Sequence, residues 1–122
     1  MQYFITGATG FIGRRLVAKL LERAGSSIFF LAREAEREQL DDLYEFWGCD
    51  DSRVKPVFGD LTEDLLGVSA VDRKKLAKKT THFFHLAAIY DLSADAESQL
   101  RVSVEGTRNT VRFAEAIGAK HF

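Results

Sequence analysis

Residues 2–13 read QYFITGATGFIG, and this stretch decides the fold. The apolar segment 2–6 predicts a β-strand. Three glycines, Gly7, Gly10 and Gly13, then follow at steps of three, where a helical pattern begins. Because glycine loses more conformational freedom on folding than other residues, three of them so close together need a structural reason. A tight turn from a strand into a helix, with backbone close to a bound group, supplies that reason.

The segment that follows the glycines predicts an amphipathic helix over residues 11–24. Charged residues such as Arg14 and Arg15 lie mostly outside its apolar face, and Gly25 suits its C-terminal cap. The apolar face is predicted to contain Ile12, Leu16, Val17, Leu20 and Leu21.

The rest of the chain alternates short apolar segments with longer amphipathic ones. Strands are predicted at 27–32, 54–59 and 81–87, and helices at 34–47, 70–78 and 94–117. This alternation predicts a parallel sheet with right-handed crossovers, in the strand order 3-2-1-4. Pro56 cannot donate to a strand on both sides, so the third strand is expected at an edge of the sheet.

The long last helix is expected to begin behind Ser93 as its N-cap and to end at Gly118. Residues 120–122, KHF, are typical of a fifth strand that is just beginning. The face of the helix that packs on the sheet is predicted to contain Leu100, Val104, Thr107, Val111, Ala114 and Ile117.

Composition excludes several classes of function. The 122 residues suit a single domain, and a net charge of −1 does not favour nucleic acid or an anionic membrane as partner. The apolar runs are too short to span a bilayer. Cys49 has no second cysteine to pair with, which favours a reducing, cytoplasmic compartment. The three histidines lack the spacing of metal ligands, so no metal site is expected.

The turn between the first strand and the first helix is suited to bind phosphate. Free backbone N–H groups at a helix start, together with the positive end of the helix dipole, attract anions. Gly7 permits the tight turn, Gly10 lets backbone approach a ligand, and Gly13 lets the helix pack on the sheet. No Gly-Lys-Ser/Thr follows, so this is not a nucleoside triphosphate loop.

Arg33 follows the second strand, where a site for NAD usually has an acidic residue for the ribose hydroxyls. A guanidinium there can pair with the 2′-phosphate of NADP, and this is the role we expect. Glu34 remains an alternative acceptor for a ribose hydroxyl. Arg14 is either a second phosphate partner or an ordinary surface residue.

Four motifs in order resemble the extended short-chain dehydrogenase/reductase family. TGATGFIG at Thr6–Gly13 matches its cofactor fingerprint TGxxGxxG, and GDL, HLAA and VEGTRN match at Gly59–Leu61, His85–Ala88 and Val104–Asn109. Within the family, HLAAIYD and GDLTEDLLGVS look most similar to bacterial NADPH-dependent fatty acyl-CoA and thioester reductases. The resemblance implies a Rossmann-type fold that binds NAD(P), of which this chain is the N-terminal part.

The resemblance also implies roles for individual residues. The Asp60 carboxylate is expected to accept from the adenine amino group, and the Leu61 amide to donate to the ring. Ala87 and Ala88 are expected beside the ribose and pyrophosphate, and Asn109 in a structural role. The complete predicted cofactor site is Gly7, Thr9, Gly10, Phe11, Ile12, Gly13, Arg33, Asp60, Leu61, Ala87 and Ala88.

No catalytic residue is predicted in this chain. Family members use a serine with a Tyr-x-x-x-Lys pair, whereas Gly7, Gly48 and Ala94 lie four residues after the three tyrosines. We therefore expect an inactive cofactor-binding half of a reductase that acts on a fatty acyl thioester, aldehyde or similar carbonyl. The alternatives are a regulatory dinucleotide-binding module and a relative of nucleotide-sugar epimerases. Self-association through the outer edge of the fourth strand, at Phe83 and Phe84, or through the long helix is also expected.

Overall fold

The computed structural model describes residues 1–87 and 96–122. Alternating strands and helices form one α/β layer structure. Its four strands are β1 (Gln2–Thr6), β2 (Ser27–Ala32), β3 (Val54–Phe58) and β4 (His82–His85). Its α-helices are α1 (Phe11–Leu21), α2 (Leu40–Trp47), α3 (Ala70–Leu76) and α4 (Ala96–Ala116).

The four strands form one parallel sheet in the order β3-β2-β1-β4, which confirms the predicted Rossmann-type topology. Pro56 of β3 lies opposite Phe30 of β2, and β3 is at the edge of the sheet as predicted. The strand order reverses between β1 and β4. In open α/β sheets, the carboxyl ends of the strands at such a reversal form a ligand-binding crevice.

Both faces of the sheet are covered, which explains why the strands are apolar without strict alternation. On one face, Ile5, Phe30 and Trp47 belong to a core shared with α1 and α2. On the other face, Phe4 packs 5.1 Å from Phe113 of α4, measured between ring centroids, and 4.9 Å from Phe83. These two cores hold the carboxyl ends of the strands in fixed positions.

Several predicted bounds differ from the structure. Helix α1 ends at Leu21 rather than at residue 24, so Gly25, at φ +76°, lies beyond the cap residue Glu22. The predicted helix 34–47 begins as a 3₁₀ helix, Glu34–Gln39, none of whose residues is buried. No packing therefore favours α geometry there. Strands β3 and β4 end one and two residues before the predicted bounds of 59 and 87.

The predicted packing faces of the two long helices are partly wrong. Ile12 at the start of α1 is 69% exposed, and α4 exposes Leu100, Val104 and Val111. Ala114 and, just beyond the helix, Ile117 are buried as predicted, and the rest of the buried face of α4 is Gly106, Thr110 and Phe113. Thr110 tolerates burial because its hydroxyl donates to the Gly106 carbonyl at 2.8 Å.

The end of the chain turns back onto the sheet as predicted. Gly118 adopts φ +66° after α4, and His121 forms a parallel bridge with His82 on the outer side of β4. Phe83, expected at an open edge, is only 3% exposed, because it packs in the core with Phe4 and Phe113 and its ring also lies 5.2 Å from that of Phe122. Two predictions, on Ala88 and on Ser93 as an N-cap, concern positions outside the described residues.

Candidate functional site

The glycine turn after β1 is built from contacts that only glycine permits. Gly7 has φ +84°, and a Cβ there would lie 2.6 Å from the Ala87 amide nitrogen. A Cβ at Gly13 would overlap the Gly7 carbonyl oxygen. At Gly10 the space is open, since the nearest atom to a Cβ would be the Gly7 oxygen at 3.4 Å. Gly7 and Gly13 therefore serve the turn itself, whereas Gly10 leaves room on the side of the crevice.

The first turn of α1 presents unused hydrogen-bond donors. Gly10 is the N-cap and provides no side-chain cap. Its N–H donates to the Gly7 carbonyl and its own carbonyl accepts from Arg14 N–H. Within the described residues the amides of Phe11, Ile12 and Gly13 have no acceptor. Three unpaired N–H groups at the positive end of a helix form a site for an anion.

Arg14 has a structural role that the sequence did not predict. Its Nη2 donates to the Thr9 carbonyl at 2.6 Å and its Nε to the Gly10 carbonyl at 3.3 Å. Its guanidinium lies 5.5 Å from the centroid of the Phe46 ring. Trp47 Nε1 also donates to the Arg14 carbonyl at 2.9 Å. Arg14 therefore braces the glycine turn against α2.

Arg33 follows β2 and faces the crevice beside an acidic residue that the sequence did not single out. Glu36 Oε1 accepts from the Arg33 amide at 3.0 Å and lies 3.4 Å from Arg33 Nε. The Arg33 side chain is 67% exposed, and within the described residues its Nη groups donate to no acceptor. Glu36 thus positions Arg33 while leaving its outer donors free.

Glu34, the alternative ribose acceptor, points elsewhere. Both of its carboxylate oxygens accept from Arg37, at 2.9 and 3.0 Å, and this pairing lowers the pKa of Glu34. Arg37 in turn lies 4.1 Å above the centroid of the Phe58 ring. Neither Glu34 nor Arg37 lines the crevice.

Asp60, directly after β3, organises a tight turn. Its Oδ1 accepts from the Thr62 N–H at 2.9 Å and from the Thr62 hydroxyl at 2.7 Å. These bonds hold the pKa of Asp60 below its usual value, with a smaller contribution from Arg33. Leu61 next to it has an amide without an acceptor among residues 1–87 and 96–122. The site therefore offers one carboxylate oxygen and one backbone donor side by side.

The end of β4 is attached to β1 through a buried hydroxyl. Thr6 Oγ1 lies 2.6 Å from His85 Nδ1 and accepts from the Ala87 N–H at 3.3 Å. A threonine hydroxyl has one proton and two lone pairs, so Thr6 can accept from Ala87 and also pair with Nδ1 in either ring tautomer. Burial lowers the pKa of His85, which favours the neutral ring. The bond from the Ala87 N–H to the Thr6 hydroxyl holds Ala87 beside the glycine turn.

These segments enclose a crevice of 470 Å³ at the carboxyl ends of the strands. Its wall contains seven of the predicted residues, namely Gly7, Thr9, Gly10, Arg33, Asp60, Leu61 and Ala87. Phe11, Ile12 and Gly13 lie at the first turn of α1 and are not part of the wall. Ala88 lies outside the described residues.

Sequence reasoning missed four residues of the wall: Leu31, Glu36, Thr62 and Leu86. Leu31 and Leu86 look like ordinary strand residues, and no sequence signal separates them from the core. Thr62 could have been found, because Asp-x-Thr is a common hydrogen-bonded turn. Glu36, three residues after Arg33, matches the spacing of a capping box.

Two kinds of feature are absent from the part of the chain that the structure describes. It contains no group of three or more histidine, cysteine or acidic residues that could hold a metal ion. It also contains no helix with the length and hydropathy required to cross a bilayer.

Comparison with known proteins identifies the family. The sequence profile of the NAD-binding male sterility protein family matches residues 5–122, almost the whole chain. The chain belongs to this family. Male sterility proteins are extended short-chain dehydrogenases/reductases, so the resemblance seen in the sequence motifs is confirmed.

Relatives of this chain include reductases and large synthases. It is 30% identical to a putative fatty acyl-CoA reductase of Drosophila melanogaster, over 93% of this chain and 25% of the fly protein. It is 32% identical to a linear gramicidin synthase polypeptide of Brevibacillus parabrevis, over 97% of this chain and 2% of that polypeptide. The reductase domain of a non-ribosomal peptide synthetase from Mycobacterium tuberculosis has a similar structure, with a TM-score of 0.75. It is 25% identical, over 98% of this chain and 31% of that domain. The chain thus spans at most about a third of these three proteins.

Proposed function

We propose that residues 1–122 form the N-terminal, NADP(H)-binding part of a reductase domain. One observation carries this proposal: the glycine turn at Gly7 and Gly10, Arg33 and the Asp60–Leu61 pair line one crevice, and the free amides of α1 follow directly on that turn. These groups match a pyrophosphate, a 2′-phosphate and an adenine ring, in that order along the sheet edge. The crevice volume of 470 Å³ lies within the range of about 300–1,000 Å³ usual for ligand pockets.

The residues present fit a dinucleotide. A Cβ at Gly10 would meet only one atom within 4 Å, so the turn leaves space where a pyrophosphate must approach backbone. The Arg33 Nη groups are free to form charge-assisted bonds with a 2′-phosphate. The nicotinamide ring of such a cofactor supplies a hydride. This chain binds and orients the cofactor, and it contains no Tyr-x-x-x-Lys pair for proton transfer.

The substrate of the complete protein is proposed to be a fatty acyl thioester or an aldehyde. The similarity to a putative fatty acyl-CoA reductase and to the reductase domain of a peptide synthetase supports this class of carbonyl. The 122-residue chain alone is expected to bind NADP(H) without reducing such a substrate.

Titration of the purified chain with NADPH and NADH tests the proposal. We expect tighter binding of NADPH, and Arg33→Ala should reduce that preference by about tenfold, the effect of losing one or two charge-assisted hydrogen bonds. Arg37→Ala is the matched control, because Arg37 lies one turn further on, in the 3₁₀ helix that Arg33 caps, pairs with Glu34 and does not line the crevice. Equal affinities for the two cofactors in the unsubstituted chain would exclude the role of Arg33. Absence of binding to either would exclude the function.

A further inference from the structure

A single peptide group connects α4 to the Asp60 carboxylate. Asn109 Nδ2 on α4 donates to the Leu61 carbonyl oxygen at 2.9 Å. The N–H at the other end of that peptide group, on Thr62, donates to Asp60 Oδ1 at 2.9 Å. Since a peptide group is planar and rigid, fixing its oxygen also fixes the direction of its N–H.

We propose that Asn109 is a positioning residue that orients the Asp60 carboxylate, and with it the selectivity of the crevice for adenine. This inference rests on the proposed dinucleotide function, in which Asp60 and Leu61 face the base. A hydrogen bond to the peptide oxygen also polarises the peptide and strengthens the bond that its N–H donates. Asn109 acts through this peptide group, since it does not itself line the crevice.

The contacts of the rest of the loop show which part of it the Asn109 hydrogen bond holds. The loop, residues 59–67, folds back so that the Asp60 N–H donates to the Leu66 carbonyl at 2.8 Å. Leu65 and Leu66 both adopt left-handed φ angles, +50° and +57°, which non-glycine residues keep only when their surroundings impose them. The Leu66 side chain is completely buried in the same core as Phe113. Packing thus anchors the far end of the loop and also contacts the Leu61 side chain. Asn109 supplies the side-chain hydrogen bond that holds the Leu61 carbonyl itself.

The neighbouring turn of α4 offers a matched control. Arg112 Nη1 lies 3.8 Å from Asp64 Oδ1 of the same loop, and both side chains are largely exposed. This contact joins the same two elements but does not involve the Leu61–Thr62 peptide. Substitution at Arg112 therefore removes a link between helix and loop and leaves the peptide bonded to Asn109.

The first test compares NADPH with its hypoxanthine analogue, in which an oxygen replaces the adenine amino group. The Asp60 carboxylate accepts from the amino group and repels that oxygen, so the unsubstituted chain should prefer NADPH. Asn109→Leu, which preserves approximate shape, should reduce this preference by about three- to tenfold, the effect of one misdirected hydrogen bond. Arg112→Ala should leave the preference unchanged. Equal weakening of both ligands by Asn109→Leu, or no change in either, would overturn the inference. If neither ligand binds the unsubstituted chain, the dinucleotide function itself fails, and this inference fails with it.

The second test needs no ligand. The hydrogen bonds from Thr62 lower the pKa of Asp60, so NMR titration of that carboxyl reports how well the Thr62 N–H points at it. Asn109→Leu should raise the Asp60 pKa towards its usual value, and Arg112→Ala should not. Asn109→Ala provides the same comparison if leucine disturbs the helix packing. An Asp60 pKa that stays the same in both Asn109 variants would contradict the proposed link.

Discussion

At the scale of single residues, two glycines of one turn have separable purposes. Gly13 lies where α1 crosses the turn, and any Cβ there would overlap the Gly7 carbonyl. Gly10 has φ −80°, which any residue can adopt, and it faces open space. The backbone therefore needs glycine at position 13 for packing, while position 10 needs it only if a ligand comes close.

Substitution by alanine separates these roles. We expect Gly13→Ala to lower the free energy of unfolding by about 1–3 kcal/mol, because the helix must move away from the turn. Gly10→Ala changes the N-cap of α1 and should cost about 0.5–1 kcal/mol of stability, yet it should weaken NADPH binding clearly. Urea denaturation and cofactor titration of both variants provide the measurements. A Gly10→Ala variant that binds NADPH normally would argue against backbone contact with the pyrophosphate.

His85 gives the fold a pH dependence. Burial lowers its pKa in the folded state, so as the pH falls from about 7.5 to about 5.5 the unfolded chain takes up the proton first. Stability contributed by the neutral ring is therefore present at high pH and is lost on acidification. In His85→Asn an amide oxygen can still accept from Thr6 but cannot titrate. Denaturation at several pH values should show that this variant loses less stability on acidification than the unsubstituted chain. Identical pH profiles of stability in the two proteins would contradict the role of His85.

At the scale of elements, the connection from α3 to β4 contains avoidable strain. Lys78 is exposed and has φ +62°, a conformation that costs a non-glycine residue about 1–2 kcal/mol. Its N–H donates to the Ile117 carbonyl at 2.8 Å, which keeps the backbone in this geometry. The strain is the cost of joining α3 to the end of α4.

Replacing Lys78 by glycine should therefore stabilise the protein. The expected gain is about 0.5–1 kcal/mol, since relief of strain exceeds the extra entropy of the unfolded chain. Lys79→Gly is the control, because its φ is not positive and glycine there only loosens the unfolded state. Thermal unfolding should show a higher Tm for the first variant and a lower one for the second. The reverse order would disprove the account of strain.

At the scale of the whole molecule, α4 carries an apolar face that the described residues leave uncovered. Leu100 and Val104, one turn apart, are 66% and 48% exposed, and Val111 is exposed further along the same helix. The relatives reported above are at least three times longer than the part that this chain matches. Because no described residue of the 122-residue chain covers this face, it is available for association.

We therefore expect self-association of the isolated chain through α4. Sedimentation velocity should show a concentration-dependent increase in mass, and the double substitution Leu100→Lys with Val104→Glu should abolish it. Val71→Lys serves as the control, because Val71 is equally exposed but lies on α3. A monomer at all concentrations would rule out this association.

The sequence by itself determined the order of elements, the parallel sheet and most of the crevice wall. These follow from local causes: periodicity, the glycine spacing, Pro56 at an edge, and the rule that parallel strands share a carboxyl edge. Only the tertiary structure decided which face of α4 is buried. The polar residue Thr110 can lie on that face because its hydroxyl donates a hydrogen bond to the Gly106 carbonyl. It also decided that Arg14 braces the turn and that Asn109 holds Leu61. Such contacts join residues up to 48 positions apart, and their partners depend on how the elements pack, which no local pattern encodes.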